Sequence, residues 1–325
     1  MLTTGYSLIF WIIIAFIVFE IILESYLDYL NDDSWNQPIP KELEGIYDEE
    51  KYAKAQQYHK ALKKLGRISG IFSIVLTMTF LFIKGFALVH LQVAEITTHP
   101  ILQALLFFGI FALVSDIIGL PFDLYSTFVI EEKYGFNKMS IGTFIMDKLK
   151  GYVLGAIIGG ALLSAFVWFY MISGKYFWIY AWIIFSGFTL FFATFYTSVI
   201  VPIFNKLKPL EEGTLREQIE AFAKKINFPL TNIFVIDGSK RSTKANAYFS
   251  GLGSKKTIVL YDTLINEQSD DELVSVLAHE VGHYKMKHIQ TSMIIGVLQM
   301  GLILFILSVF INKPELSQAL GLQTD

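Results

Sequence analysis

The chain has 325 residues, of which 54% are hydrophobic, 15% aromatic and only 17% charged, and its mean hydropathy is +0.50. This composition is rare in soluble domains and predicts a membrane protein, while the net charge of −3 excludes a polybasic nucleic-acid binder. The absence of cysteine excludes disulfides, thiolate zinc ligands and a catalytic thiol, so any metal must be held by His, Asp or Glu.

Six apolar runs approach the roughly 20 residues that a helix needs to cross the hydrocarbon of a bilayer. They lie at residues 6–23, 68–89, 101–125, 152–172, 177–204 and 289–311. The first run is expected to remain as an anchor, because no Lys or Arg precedes it and no small-residue cleavage site follows it. Glu20 is expected near the end of this span, where its side chain can reach the interface.

The distribution of Lys and Arg predicts the orientation, because cytoplasmic loops carry an excess of these residues. Residues 28–67 hold seven, residues 126–150 hold four and residues 205–288 hold twelve, which is 23 of the 26 in the chain. We therefore expect a multi-pass integral membrane protein with these three loops in the cytoplasm. The membrane would be a bacterial inner membrane or the endoplasmic reticulum.

The predicted fold is mainly α, a polytopic helical bundle or barrel with a small α/β domain. An N-terminal membrane domain covers residues 1–204 and includes the first cytoplasmic loop at 28–67. The α/β domain at 205–288 precedes a sixth span at 289–311 and a short exterior tail at 312–325.

Within 205–288, apolar spacing predicts a helix over residues 211–226, followed by short strands at 232–236, 245–249 and 257–261. Ser269 and Glu272 have the spacing of a capping box, which predicts a helix that starts there and runs on toward the last span.

This last helix carries His279-Glu280-Val281-Gly282-His283, an H-E-x-x-H sequence. Residues four apart lie on one helical face, so His279 and His283 can bind one zinc ion while Glu280 stands beside them. Zinc lowers the pKa of a bound water to about 7, and Glu280 would accept the proton of that water as it attacks a peptide carbonyl. The alternative to a metal site is an ordinary amphipathic helix with two surface histidines and an exposed Glu. Gly282 counts slightly against this alternative, because glycine weakens the interior of an exposed helix.

A catalytic zinc ion normally has three protein ligands, and the sequence offers no third. Glu272 lies about 10.5 Å from His279 along a helix axis at 1.5 Å per residue, which is too far for the same ion. His288 would lie on the opposite face of a straight helix and is expected to mark the membrane boundary. Beyond it the acidic residues are Glu315 and Asp325.

The chain resembles the type I CAAX prenyl proteases, a family of integral-membrane zinc metallopeptidases. The zinc motif extends to HEVGHYK at 279–285, and further similarity lies in residues 52–58 (YAKAQQY), 121–123 (PFD), 131–137 (EEKYGFN), 240–242 (KRS), 246–249 (NAYF) and 258–264 (IVLYDTL). In span order and motif order the resemblance covers essentially the whole chain.

The resemblance implies a seven-span barrel around a water-filled chamber, with one zinc ion at its cytoplasmic end. It also implies removal of the C-terminal tripeptide from prenylated C-a-a-X proteins. Asn246, Ala247 and Tyr248 are expected to bind substrate, because an edge strand beside the zinc helix can pair with an extended peptide. The alternative is an ordinary strand of a small sheet.

The departure from the family lies at the end of the chain. The family has a further span and then a helix whose Glu is the third zinc ligand, whereas this sequence stops at Asp325. We therefore expect either a fragment or completion of the site by a separate C-terminal polypeptide. The 325-residue chain alone should bind zinc weakly and be inactive.

Two other functions fit the same residues. One keeps the zinc chemistry but acts on misfolded membrane proteins, as quality-control proteases do. The other is a non-catalytic membrane scaffold or channel in which the H-E-x-x-H sequence is vestigial. The expected partners are the lipid bilayer and prenylated or membrane-associated peptides, and no nucleic acid.

Overall fold

The computed structural model describes residues 5–34, 37–41, 45–46, 48–250 and 256–322, with the backbone only for 32–34. The chain forms two compact units, residues 1–134 with 309–325 and residues 135–308. The predicted domain boundaries at residues 204 and 288 differ from this division and stay a prediction.

The first unit is helical. Its elements are α1 (Leu8–Ser34), α2 (Glu49–Phe82), α3 (Gly85–Ile96), α4 (Pro100–Tyr125), which continues as a π-helical segment over Ser126–Glu131, and α13 (Pro314–Ala319).

One apolar cluster joins the first two of these helices near one end. Phe10 of α1 is buried against Leu81 of α2 and Ala319 of α13. The hydroxyl of Tyr6 also donates to the carbonyl of Phe82, at 2.7 Å. These contacts bring the start of α1 next to the end of α2, so the two helices run antiparallel.

Two predicted span ends in this unit differ from the ends of the helices. The first helix that is apolar enough to cross a membrane extends to Asn31, past the predicted span end at residue 23. The second segment ends at Phe82 instead of residue 89, because Lys84 has φ 56° and interrupts the helix before α3. Hydropathy does not predict either helix end, because it depends on composition and not on the direction of the backbone.

The second unit contains the remaining helices and the sheet. The helices are α5 (Ile141–Leu154), α6 (Gly160–Ser173), α7 (Phe177–Val199), α8 (Val201–Phe204), α9 (Thr214–Lys225), α10 (Asp262–Glu267), α11 (Asp270–Lys285) and α12 (His288–Phe310). A π-helical segment at Gly155–Gly159 joins α5 to α6, and a 3₁₀ turn at Gly174–Tyr176 joins α6 to α7.

Among the described residues, five helical segments are long and apolar enough to cross a membrane: Leu8–Asn31, Glu49–Phe82, Pro100–Glu131, Ile141–Phe204 and His288–Phe310. The six predicted spans exceed these five segments by one, because the predicted spans at 152–172 and 177–204 both fall within the continuous helical segment of 64 residues. That segment turns back on itself at Gly174, which has φ 52°, and the rings of Phe169 and Tyr180 stack across the turn at 5.4 Å.

The predicted small α/β domain is confirmed. Its sheet contains β1 (Leu207–Pro209), β2 (Leu230–Ile236), β3 (Ala247–Ser250) and β4 (Lys256–Tyr261), in the order β1-β2-β4-β3. β2 and β4 are parallel, and the other two pairs are antiparallel. The short strand β1 was not predicted, because it has three residues and depends on pairing with β2.

The core of this domain lies between the sheet and two helices. Five side chains of this core are at most 2% exposed: Ile219 of α9, Ile258 and Leu260 of β4, and Leu273 and Leu277 of α11. Burial of one such side chain contributes about 1.5–3 kcal/mol, so this cluster is what fixes α11 against the sheet.

Candidate metal centre

The helix that carries the H-E-x-x-H sequence begins with the predicted capping box. The Ser269 hydroxyl accepts from the backbone N–H of Glu272, and a Glu272 carboxylate oxygen accepts from the backbone N–H of Ser269, at 2.8 Å. The backbone N–H and the hydroxyl of Ser269 both donate to the Glu272 carboxylate, and these hydrogen bonds to its charged form hold the pKa of Glu272 below its usual value. Glu272 therefore caps the helix, in agreement with the prediction that it lies too far from His279 to share a metal ion.

The two faces of α11 have different surroundings. Leu273, Leu277 and Val281 are buried. His279 and His283 are exposed, and Glu280 is half-buried. Because the apolar residues fix one face of the helix in the domain, the two histidines remain available to a ligand on the other side.

The structure brings the two predicted metal ligands together. The Nε2 atoms of His279 and His283 lie 3.1 Å apart, and the ring centroids are separated by 4.8 Å with the planes nearly perpendicular. Two nitrogen ligands of a tetrahedral zinc ion, each about 2.0–2.1 Å from the metal, are about 3.3 Å apart. The observed separation thus fits two ligands of a single ion.

His288 lies next to this pair, contrary to the sequence-based expectation. Its Nδ1 is 2.7 Å from Nδ1 of His283, and the rings are 5.0 Å apart. The expectation assumed a straight helix, but α11 ends at Lys285 and Lys287 has φ 58°, so α12 starts in a new direction. His283 therefore contacts His279 through one ring nitrogen and His288 through the other.

The described part of the chain brings no third metal ligand to these histidines. Among the residues that the structure describes, no group of three or more His, Asp and Glu side chains is arranged to hold a metal ion. The two histidines therefore fit zinc in their chemistry and separation but supply only part of a catalytic ligand set.

The strand that contains the predicted substrate-binding residues lies at an edge of the sheet. β3 pairs with β4, with Ala247 opposite Leu260 and Tyr248 opposite Val259. On its other side, no described strand pairs with it. An extended peptide could add to the sheet at this edge, which the sequence alone could not establish.

The three predicted substrate-binding residues differ in exposure. Asn246 is exposed, and Ala247 and Tyr248 are half-buried. The Asn246 carbonyl accepts from the backbone N–H of Tyr261, at 3.0 Å, which continues the β3–β4 pairing by one residue.

The Tyr248 hydroxyl points into the protein. Burial raises the pKa of this hydroxyl, and the side chain of Thr197 offsets part of the rise. Neither hydroxyl has a hydrogen bond of good geometry with any described group. Both residues line a cavity of about 460 Å³ that also contacts Ile289, the residue after His288. The edge strand and the start of α12 therefore share one cavity.

Arg241 anchors the segment that leads into β3, and sequence reasoning assigned it no role. Its guanidinium donates to both carboxylate oxygens of Asp147, at 2.7 and 2.9 Å, and to the carbonyl of Phe204, at 2.8 Å. The Arg241 carbonyl accepts from Lys138, and Ser242 forms a β-bridge with Asn137. The KRS and EEKYGFN segments singled out in the sequence thus contact each other.

Comparison with known families agrees with this arrangement. Residues 32–206 match the family model described as the CAAX prenyl protease N-terminal region with five membrane helices. Residues 209–324 match peptidase family M48.

Individual relatives give the same result. CAAX prenyl protease 1 homolog of Oryza sativa subsp. japonica is 38% identical over 320 residues, which is 96% of this chain and 75% of the relative. CAAX prenyl protease 1 of Saccharomyces cerevisiae is 35% identical over 304 residues, covering 90% of this chain and 67% of the relative. The crystal structure of S. mikatae Ste24p superimposes with a TM-score of 0.90 at 34% identity, covering 98% of this chain and 75% of that chain.

Two family models cover most of the chain, and these relatives extend along nearly all of it. The H-E-x-x-H helix lies inside the M48 match and the apolar helices precede it. The chain therefore belongs to the CAAX prenyl protease family of M48 membrane metallopeptidases.

Proposed function

We propose that this protein is a zinc metalloendopeptidase that removes the C-terminal tripeptide from prenylated C-a-a-X proteins. The observation that carries the proposal is the 3.1 Å separation of the His279 and His283 Nε2 atoms on the helix that also presents Glu280. The substrate class is proposed because the relatives are named CAAX prenyl proteases.

His279 and His283 would hold the zinc ion through Nε2. When bound, zinc supplies Lewis-acid activation of a water molecule and of the peptide carbonyl. Two protein ligands are one fewer than a catalytic zinc ion normally has, so we expect weak metal binding by these two histidines alone. Because one protein ligand of the zinc ion is lacking, we also expect the 325-residue chain alone to be inactive.

Glu280 would be the general base and then the general acid. Its carboxylate takes a proton from the water that attacks the scissile carbonyl, and it gives that proton to the leaving amine as the C–N bond breaks. A carboxylate positioned in this way typically contributes about 10²–10⁴-fold to the rate.

Asn246, Ala247 and Tyr248 would align the substrate. A peptide that adds to the outer side of β3 exchanges backbone hydrogen bonds with this strand. These hydrogen bonds fix the direction of the peptide and the position of each of its carbonyls along the strand. Such an arrangement needs an extended substrate terminus, as in a short C-terminal tripeptide with its preceding residue.

We place the zinc helix and the sheet domain on the cytoplasmic side. The support is the excess of Lys and Arg in residues 28–67, 126–150 and 205–288 over the other loops. A prenylated C-terminus in the cytoplasmic leaflet would then reach the site without crossing the bilayer.

Metal analysis and peptide cleavage test the proposal. Protein with a complete zinc ligand set should retain zinc, and in that protein Glu280→Gln should lower cleavage by at least 100-fold while zinc content stays the same. Glu267→Gln, an exposed change on α10, is the matched control. If zinc is absent from protein with a complete ligand set, or Glu280→Gln cleaves normally, the protein is not a zinc peptidase of this kind.

The lipid preference needs a separate comparison. A farnesylated C-a-a-X peptide should be cleaved faster than the same peptide without the lipid. Equal rates would leave a membrane metallopeptidase with a different substrate class.

A further inference from the structure

The last turn of α11, which carries His283, packs against the domain through one side chain. The earlier turns of the helix are buried through apolar side chains, of which Val281 is the last. The side chains of residues 283–287 are all exposed except that of Tyr284, which is half-buried. The position of this turn in the domain therefore depends on what Tyr284 contacts.

Two side chains from different parts of the domain contact the Tyr284 ring. The Phe228 ring meets it edge to face, with the centroids 5.1 Å apart and the planes at 88°. The Lys256 ammonium lies over the ring, 4.7 Å from its centroid. An aromatic ring attracts both a cation over its face and the edge of a second ring, so the two contacts are favourable. We call Phe228, Lys256 and Tyr284 the Tyr284 clamp.

The lysine is the unusual member of this clamp. Lys256 is the first residue of β4 and is only 4% exposed, whereas lysine is almost never buried to this extent without a partner. Burial lowers the pKa of its ammonium, so the charged form needs stabilising contacts inside the protein. The face of the Tyr284 ring supplies one such contact.

Phe228 connects the clamp to the edge strand. Its ring lies 5.1 Å from the ring of Phe249 on β3, and its side chain is 6% exposed. Its backbone is fixed on both sides, because its N–H donates to the Ala223 carbonyl and its carbonyl accepts from the Leu230 N–H, each at 2.8 Å. Phe228 therefore lies between β3 and the end of α11 and contacts both.

We propose that Phe228 and Lys256 are positioning residues that hold the last turn of α11 at a fixed distance from β3. The helix itself brings His279 and His283 together, so the clamp does not create this pair. Instead the clamp determines where the pair lies relative to a peptide bound at the edge of β3. Only the catalytic consequence of this inference rests on the proposed function.

A fixed distance matters because hydrolysis needs the scissile carbonyl and the attacking water in one geometry. A misplacement of about 1 Å can lower a rate about 100-fold, so loss of the clamp should lower kcat about 10–100-fold. KM should change little, because β3 still offers the same edge to the peptide.

Electron paramagnetic resonance measures the distance without any cleavage. Two histidines four residues apart on a helix can bind Cu²⁺ through their imidazoles. Because the chain has no cysteine, Asn246→Cys places a single nitroxide beside β3. The copper–nitroxide distances should form one narrow distribution in this background, and the distribution should broaden or shift when Phe228→Leu or Lys256→Met is added.

Matched controls separate the clamp from a general loss of packing. Phe222→Leu makes the same change in the same apolar cluster, and Lys225→Met removes an exposed lysine of α9. All variants are compared well below their melting temperatures, and neither control should change the distance distribution. If the clamp variants keep the original distribution, or Phe222→Leu broadens it equally, the proposal is wrong.

A double-mutant cycle tests the lysine contact itself. Lys256→Met and Tyr284→Leu each remove one partner of the pair and leave an apolar side chain in its place. The unfolding equilibrium constant of the double variant should be about tenfold smaller than additive effects would give. Additive effects would remove Lys256 from the clamp.

Kinetics of protein with a complete zinc ligand set distinguish this inference from the proposed function. Phe228→Leu and Lys256→Met should keep the wild-type zinc affinity and lower kcat more than they raise KM. Wild-type protein that binds no zinc or cleaves no peptide contradicts the proposed function, and the copper–nitroxide distances still test the clamp. Clamp variants with the wild-type kcat contradict the positioning role alone.

Discussion

Helix α11 and strand β3 both carry proposed site residues, but different interactions hold them. α11 has its own capping box, and its histidines are one turn apart on the same helix. β3 has four residues, and its position depends on β4 and on Arg241, whose partner Asp147 lies 94 residues earlier. Chemistry placed on α11 is therefore a local property of the sequence, whereas substrate alignment by β3 is a property of the folded domain.

The anchor of β3 gives the largest expected effect. Arg241→Gln removes a two-point ion pair whose side chains are only 19% and 20% exposed, and it leaves Asp147 without its main partner. We expect a loss of about 2–3 kcal/mol of unfolding free energy, somewhat below the 3–5 kcal/mol of a fully buried pair. In a peptidase assay of protein with a complete zinc ligand set, KM should rise more than kcat falls.

The control for this change is Arg216→Gln. Arg216 of α9 contacts Glu220 on the same helix and Glu212 just before it, and such surface pairs contribute about 0–1 kcal/mol. Arg241→Lys should restore part of the stability, because it keeps the charge without the two-point geometry. If the Arg241 and Arg216 variants are equally stable, β3 does not depend on this ion pair.

A substitution of His288 tests whether α11 alone orients the His283 ring. His288→Phe keeps the ring but removes the hydrogen-bond partner of the His283 Nδ1 atom. Outer partners of metal-bound histidines typically contribute 10–100-fold to metal affinity, or about 1.4–2.7 kcal/mol. We therefore expect the zinc affinity of His288→Phe to be about 10–100-fold lower than that of the wild type. Competition with a chromogenic chelator measures this affinity.

His59→Phe, in the other unit, is the matched control for the loss of a histidine. Unchanged zinc affinity in His288→Phe would mean that α11 orients His283 unaided, and the contrast with β3 would then be complete.

The cap of α11 gives a smaller effect. Ser269→Ala removes the hydroxyl that accepts from Glu272, and loss of such a cap typically costs about 1 kcal/mol. Thermal unfolding of the purified protein measures it. Ser275→Ala, on the exposed side of the same helix, is the control. A cap variant as stable as this control would show that packing of Leu273 and Leu277 alone holds the helix start.

The pH dependence of the same cap gives the smallest effect. The folded-state pKa of Glu272 is lowered, so its contribution is present above the pKa of the unfolded chain. The contribution is lost as the pH falls through the folded-state pKa. Melting temperatures between pH 7 and pH 3 should therefore converge for the wild type and Glu272→Gln as the pH falls. A constant difference between the two curves would contradict this assignment.

Sequence patterns predicted the local features well. The apolar runs, the capping box, the α/β composition of residues 207–285 and the pairing of His279 with His283 all depend on residues within a few turns of one another. The errors arose where the backbone changes direction. The positive φ angle at Lys84 ends a helix that hydropathy extends, and the one at Lys287 separates α11 from α12, which were expected to continue as one straight helix. The turn at Gly174 lies inside one continuous helical segment where two separate spans were predicted.

By itself the sequence determined that this is a membrane protein and that its proposed zinc ligands lie one turn apart on one capped helix, because composition and helical periodicity act over short distances. Only the tertiary structure decided that β3 is an edge strand, that His288 contacts His283, and that Lys256 lies over the ring of Tyr284. The physical reason is that each of these contacts joins residues through a chain reversal or a packed interface, and no local preference encodes where such a contact will form.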